Sequence, residues 1–189
     1  MPLAMSKGMG FSQAAGELRR LMDDAAWTAC LAAMPPDTRG LIDRPPVPSQ
    51  WLPVTHFLAM IDSPRRATLA NWQELAFGSG RAATKKTFKT VHRIFVQMLD
   101  PGWVIRRSAP AWGSYYRDFG GPPEIVEHSP AHVLFRFHGT GAHEAFWQHI
   151  RGGMAAIGDL TRLKDPEQTL VSGGLDACDT MDLRIAWKR

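Results

Sequence analysis

The run Glu124-Ile-Val-Glu-His-Ser-Pro-Ala-His-Val-Leu-Phe-Arg-Phe-His138 decides how the chain is read. Its two halves, Glu124 to His128 and His132 to His138, alternate and are rich in β-formers. Ser129-Pro130 between them is a turn signal, so the pair predicts an antiparallel hairpin. In the second half Val133, Phe135 and Phe137 share one face, as a strand lying on a core requires. Gly120-Gly121-Pro122-Pro123, just upstream, marks a change of character: before it the apolar spacing is helical.

Toward the C-terminus, residues 142–157 read as a helix with Phe146, Trp147, Ile150, Met154 and Ile157 inward, and Gly152-Gly153 lets another element pack closely. Thr169 to Ser172 and Met181 to Trp187 predict two closing strands. Toward the N-terminus, Phe11, Ala15, Leu18, Met22 and Ala26 lie near one helical face. That helix starts at a Ser12 N-cap and ends before Pro35-Pro36. Residues 35–50 read as a Pro-rich extended connector. A short helix follows over Pro53 to Ile61. Another starts at Ser63-Pro64, carries Trp72 and is interrupted at Gly78-Ser-Gly80. A longer helix runs from Ala82 to Leu99 with the stripe Phe88, Val91, Phe95, and a last one spans Pro110 to Tyr116. The expected fold class is α+β: N-terminal helices packed on a small antiparallel sheet of about four strands with a crossing helix. Residues 1–10 are expected as a flexible tail and 11–189 as one domain.

The 189 residues suit one domain, with 44% apolar and 21% charged residues, ordinary globular usage. Seven Trp and nine Phe are many for this length; such rings fill cores and also wall apolar pockets. A net charge of +4 does not by itself point to nucleic acid. Two distant cysteines, Cys30 and Cys178, do not make a disulfide framework. With no signal peptide and no apolar run long enough to span a bilayer, the simplest compartment is the cytoplasm.

Several constellations could carry chemistry, and each has a plainer reading. His143-Glu144 begins like a zinc-protease helix, but Trp147 stands where the second His belongs. His128, His132 and His138 flank the hairpin with Glu127; solvent-facing histidines are the commoner outcome there. Lys85, Lys86, Lys89, His92 and Arg93 form a basic stripe, which reads equally as a solvated helix face. Gly139-Thr-Gly141 could meet an anion or simply turn the chain from strand to helix. No Gly-x-Ser-x-Gly elbow occurs. No catalytic and no metal-binding residue is therefore assigned. The most distinctive feature is the aromatic block Trp103, Trp112, Tyr115, Tyr116, Arg117 and Phe119, which could wall a ligand pocket and offer it one charge.

Residues 50 to 189 also carry a resemblance. Trp51-Leu-Pro-Val, Phe77-Gly-Ser-Gly-Arg, Ala109-Pro-Ala-Trp, Tyr116-Arg-Asp-Phe-Gly, Glu124-Ile-Val-Glu, the Gly152-Gly153 helix and Arg184-Ile-Ala-Trp together resemble a paralogous family best known from myxobacteria. That family is similar, distantly, to the superfamily of haem nitric-oxide-binding domains, 4-vinyl-reductase-type ligand-binding domains and TRAPP subunits. The resemblance implies helices packed on an antiparallel sheet, an apolar internal cavity and frequent homodimerisation. Haem-binding members use a proximal His on a helix ahead of a Tyr-x-Ser-x-Arg strand motif that holds the propionates. His92 is the counterpart of that His. The strand end here reads Phe137-His-Gly-Thr-Gly141, with neither Tyr, Ser nor Arg in place, and uncompensated propionates in an apolar pocket are expensive.

The leading expectation is a non-enzymatic small-molecule-sensing or protein-interaction domain. Its ligand site is expected among Trp72, Phe88, His92, Phe95, Trp112, Tyr116, Arg117, Phe135 and Trp147. The alternatives are a haem-bound gas sensor using His92, and an enzyme built on His128, His132 and Glu127.

Overall fold

Met5–Lys7 forms strand β1, the middle of a three-stranded sheet, in the computed structural model, which describes residues 3–91, 111–161 and 163–188. Helix α1 follows directly (Gly8–Leu21). Residues 5–10, expected as part of a loose tail, thus supply a central strand and the first turn of a helix. Three residues are too few to show a strand period. What defines β1 is pairing: Met5 faces Pro53 of β2 (Trp51–Pro53) on one side and Arg117 of β3 (Tyr116–Arg117) on the other, both antiparallel.

The helix expected from Phe11 to Met34 is two helices. The chain breaks at Met22–Asp23 and restarts as α2 (Asp24–Ala33), where the Asp23 carboxylate accepts from the Ala26 N–H at 2.8 Å. That is an N-cap satisfying one of the free amides of a helix start. The Pro-rich connector is corrected as well: Pro36–Asp43 is helix α3, with proline in its first turn, where no N–H is needed. Thr38 of α3 is buried and lies 3.0 Å from His56 Nδ1, tying it to α4 (Val54–Arg66).

α4 runs unbroken through Ser63-Pro64, where two helices were expected. Pro64 cannot donate to the Met60 carbonyl. The Ser63 hydroxyl donates to it instead, at 2.8 Å, so the turn survives. The next helix, α5 (Trp72–Val91), likewise passes through Gly78-Ser-Gly80 without interruption. It absorbs the start of the helix expected from Ala82, whose remainder toward Leu99 lies outside the described residues. The α5 glycines serve packing. A Cβ on Gly80 would sit 1.9 Å from the His149 carbonyl oxygen, and one on Gly152 would sit 1.9 Å from that of Phe77. α5 therefore meets the later helix backbone against backbone, which is the close approach expected at Gly152-Gly153. Residues 111–113 are helical and the helix ends there, before a turn at 114–115 and β3, and does not run to Tyr116 as expected; its expected start at Pro110 lies outside the described residues.

The hairpin is present as β4 (Glu124–His128) and β5 (His132–His138). Helix α6 (Glu144–Leu160), β6 (Lys164–Gly173) and β7 (Thr180–Lys188) complete a four-stranded antiparallel sheet in the order β4-β5-β7-β6. Val133, Phe135 and Phe137 are buried beside Met181, Leu183 and Ile185 of β7. Phe146 and Trp147 of α6, Phe57 and Ile61 of α4, and Phe11 and Leu18 of α1 extend the same core. The fold is α+β with helices on an antiparallel sheet, as expected, and the small β2-β1-β3 sheet is an addition. Among the described residues no helix is long and apolar enough to cross a membrane.

Candidate functional site

α6 is fixed at its start by three contacts. His143 Nδ1 accepts from the Phe146 N–H, its Nε2 donates to the Leu58 carbonyl at 3.1 Å, and an Asp176 oxygen accepts from the Glu144 N–H at 3.0 Å. Burial pushes the His143 pKa below its ordinary value, consistent with a neutral ring that caps a helix. Asp176 also pairs with Arg65, whose guanidinium reaches the buried Asp62, so α4, α6 and the loop before β7 are joined. This anchorage and the glycine contact with α5 set which face of α6 looks inward.

That face borders a cavity of about 180 Å³. α1 contributes Gly10 and Gln13, and α4 contributes Phe57. α5 supplies Ala83, Thr84, Thr87 and Phe88, and the segment 111–116 supplies Trp112, Tyr115 and Tyr116. Phe137 of β5 and His149, Ile150, Gly153 and Met154 of α6 close the wall. The rings pack on one another: Trp112 and Tyr116 are 4.6 Å apart, Trp112 and Phe137 6.0 Å, and Phe57 meets Tyr116 edge-on at 6.0 Å. Burial raises the pKa of both Tyr115 and Tyr116, so both hydroxyls stay protonated. The wall is mainly apolar, and among its described residues none is cationic.

His149 is the wall's one imidazole among the described residues. Its Nδ1 is 2.9 Å from Ser79 Oγ on α5, and its ring meets Phe57 edge-on at 5.3 Å. The protein packed around it drives its pKa down to about 4. The ring is half-buried and forms part of the cavity wall. The polar neighbours Gln13 and Thr87 bond to each other at 2.9 Å.

Of the residues expected at a ligand site, the structure brings Phe88, Trp112 and Tyr116 together on this wall. Four others lie elsewhere. Trp72 is half-buried against the edge of the core, under the Arg65 guanidinium 5.6 Å away. Arg117 is exposed and stacks on Trp51 at 3.9 Å, so it offers the cavity no charge. Phe135 is buried within the sheet core. Trp147 is fully buried, with its indole N–H donating to the Cys178 carbonyl at 3.2 Å. His92, Arg93 and Phe95, with Trp103, lie outside the described residues. Tyr115, from the same aromatic block as Trp112 and Tyr116, is also on the wall, while sequence reading missed Phe57, Phe137 and His149. For His149 a signal existed: it sits one helical turn before Gly152-Gly153, on the flank where close packing was expected.

Several described members of the other constellations have partners of their own. His132 bonds Ser129 Oγ and Glu127 Oε1, each at 2.8 Å, and His138 faces Glu124 at 3.4 Å. Lys85 pairs with Asp159 at 2.7 Å, beside Arg81. The Gly141 N–H, in the strand-to-helix turn, donates to Asp179 at 2.8 Å. A second cavity of about 290 Å³ lies between α1, α2 and α3, bordered by Phe11, Trp27 and Leu41. Its cation, Arg19, is paired with Asp24, and its described wall contains no imidazole.

The superfamily that the sequence resembles has haem-binding members, so the wall can be tested against that group. About 180 Å³ is slightly more than the ~150 Å³ of an apolar cavity that takes up benzene. It is below the ~300–1,000 Å³ of sites for larger ligands. Two propionates would also need cations, which the described wall does not hold. The described residues thus fit a guest of about one ring and not a dianionic macrocycle.

No family model matches the sequence, and no curated protein matches it. Solved structures do. A point mutant of the T. Tengcongensis H-NOX matches with a TM-score of 0.65 at 14% identity, over 97% of this chain and 98% of that one. An oxygen-binding H-NOX domain related to soluble guanylate cyclases matches at 0.67 and 14%, over 97% and 95%. An H-NOX protein from S. oneidensis in the Fe(II)NO ligation state matches at 0.68 and 12%, over 97% and 99%. At such identities the likeness is one of architecture: this chain has the fold of the H-NOX domains.

Proposed function

We propose that the chain is a non-enzymatic sensing domain that takes a small apolar molecule into the cavity between α5, α6 and the segment 111–116. The observation that carries this reading is the aromatic-walled cavity of about 180 Å³ in a fold shared with H-NOX domains. An apolar guest replaces contacts that the wall otherwise lacks, and its binding draws on removal of apolar surface from water. Signalling would follow from the difference in affinity between two states of the domain, as any ligand-driven shift requires. Homodimerisation and a bacterial source belong to this proposal on the strength of the resemblance, and a cytoplasmic setting is part of it as the simplest compartment. The test is a thermal-shift and calorimetric titration of the full chain with one-ring aromatics. Saturable binding that Gly153→Leu abolishes while the variant still unfolds cooperatively supports the reading, since the leucine Cβ would start 3.0 Å from Thr84, itself a wall residue. A wild-type protein that takes up none of them would sink it.

The fold match supports one second reading, a haem-bound gas sensor using His92, which would need room and cations from beyond the described wall. Adding haem to the purified protein and recording its spectrum distinguishes the two. A Soret band that disappears in His92→Ala supports the haem sensor, and no band leaves the small-ligand reading.

A further inference from the structure

The cavity's polar chemistry can be read from one hydroxyl. Ser79 is fully buried, and its oxygen lies 2.8 Å from the Ala76 carbonyl and 2.9 Å from His149 Nδ1. A serine hydroxyl has one proton, and a carbonyl can only accept. Both contacts are made only if Ser79 donates to Ala76 and accepts from His149. The proton of the neutral imidazole is therefore on Nδ1, and Nε2 carries a lone pair. Among the described residues, the Ser79 contact is the one hydrogen bond of this ring. The low pKa keeps the ring neutral across the physiological range. Thr87 Oγ1 lies 2.9 Å from Gln13 Oε1 and 3.1 Å from the Ala83 carbonyl; its single proton serves one of them at a time, so these polar groups already have partners in the protein.

We propose that His149 is the polar anchor of this cavity, and that its ligand is a one-ring molecule with a single O–H or N–H donor aimed at Nε2. This rests on the cavity being a ligand site, as proposed above. The apolar wall takes the ring, and the acceptor selects among rings of equal size. A donor buried without a partner loses its water hydrogen bonds uncompensated, so a wall lacking the acceptor discriminates against it. Ser79 acts through His149 as a positioning residue, because it fixes the tautomer that leaves Nε2 free to accept.

The experiment compares phenol with toluene, rings of the same size with and without the donor. Each is titrated calorimetrically into the full chain and into His149→Phe. The replacement is expected to weaken phenol by on the order of 10-fold, while toluene changes by less than about 2-fold. A second measurement needs no variant. Phenol should shift the ¹⁵N resonance of the unprotonated Nε2 of His149 in the wild-type protein, and toluene should leave it in place. If His149→Phe changes both ligands equally, or phenol leaves Nε2 unmoved, the inference is overturned and the ligand site stands. If neither ring binds, the site itself fails and the inference with it.

Discussion

His149 shows how one side chain records its surroundings. Its pKa is lowered from 6.5 to about 4 because the packing around it penalises the imidazolium. Between those values the unfolded chain binds a proton that the folded chain refuses. Stability therefore rises with pH through this window, is complete above about 6.5, and declines as pH falls toward 4. The full difference is on the order of 3 kcal/mol. Urea unfolding at intervals from pH 4 to pH 7 should show this slope, and His149→Phe should remove most of it. His143, lowered for the same reason, adds a smaller slope of the same sign. The depressed carboxyls of Asp159, Asp176 and Asp182 act in a lower pH range, losing their contribution only as pH falls below about 4. A flat profile between pH 5 and 7 would contradict the enclosed position of His149.

Among the elements, the contact between α5 and α6 organises the site. Gly80 and Gly152 allow the backbones to touch, and Ser79 and His149 lie immediately beside that contact. Gly152→Ala places a methyl 1.9 Å from the Phe77 carbonyl, so the helices must separate. A loss of about 2–3 kcal/mol in chemical unfolding is expected, together with a lengthened Ser79–His149 contact. A neutral result would mean that the helices can part freely. Asp23→Ala tests a different joint. It removes the side-chain acceptor at the start of α2 and should cost about 1 kcal/mol, with no effect on ligand binding at the distant cavity. These elements were only partly legible. The strands at β5 and β7 and the α6 stripe follow from period and composition. The break at Asp23 and the continuity at Pro64 depend on single hydrogen bonds that a periodicity reading does not weigh.

Across the molecule, the cavity lies where α1, α4, α5, α6 and the 111–123 segment converge on the sheet. Occupancy should therefore stabilise all of them together. A one-ring donor ligand at a hundred times its Kd adds about 2.7 kcal/mol to the folded state. For a chain of this size that corresponds to a rise in Tm of roughly 5–10 °C, measured by differential scanning fluorimetry. An unchanged Tm at demonstrated saturation would show that the ligand binds the unfolded chain equally, and hence not in this cavity.

Residue order alone settles what is local. The hairpin, the inward stripe of Val133, Phe135 and Phe137, and the close approach at Gly152-Gly153 all follow from period and residue type. So does the aromatic block from which Trp112 and Tyr116 reach the wall. The remaining features arise from packing between distant segments. β1 is a strand only because β2 and β3 pair with it. Arg117, beside Tyr116 in sequence, turns outward to Trp51, since successive residues of a strand face opposite sides. Trp147 and His149, two residues apart on α6, divide between the core and the cavity, because that spacing carries a side chain around to another face. Whether a ring fills a core or borders a void depends on what the facing helix presents to it, and that facing partner lies far away in the sequence.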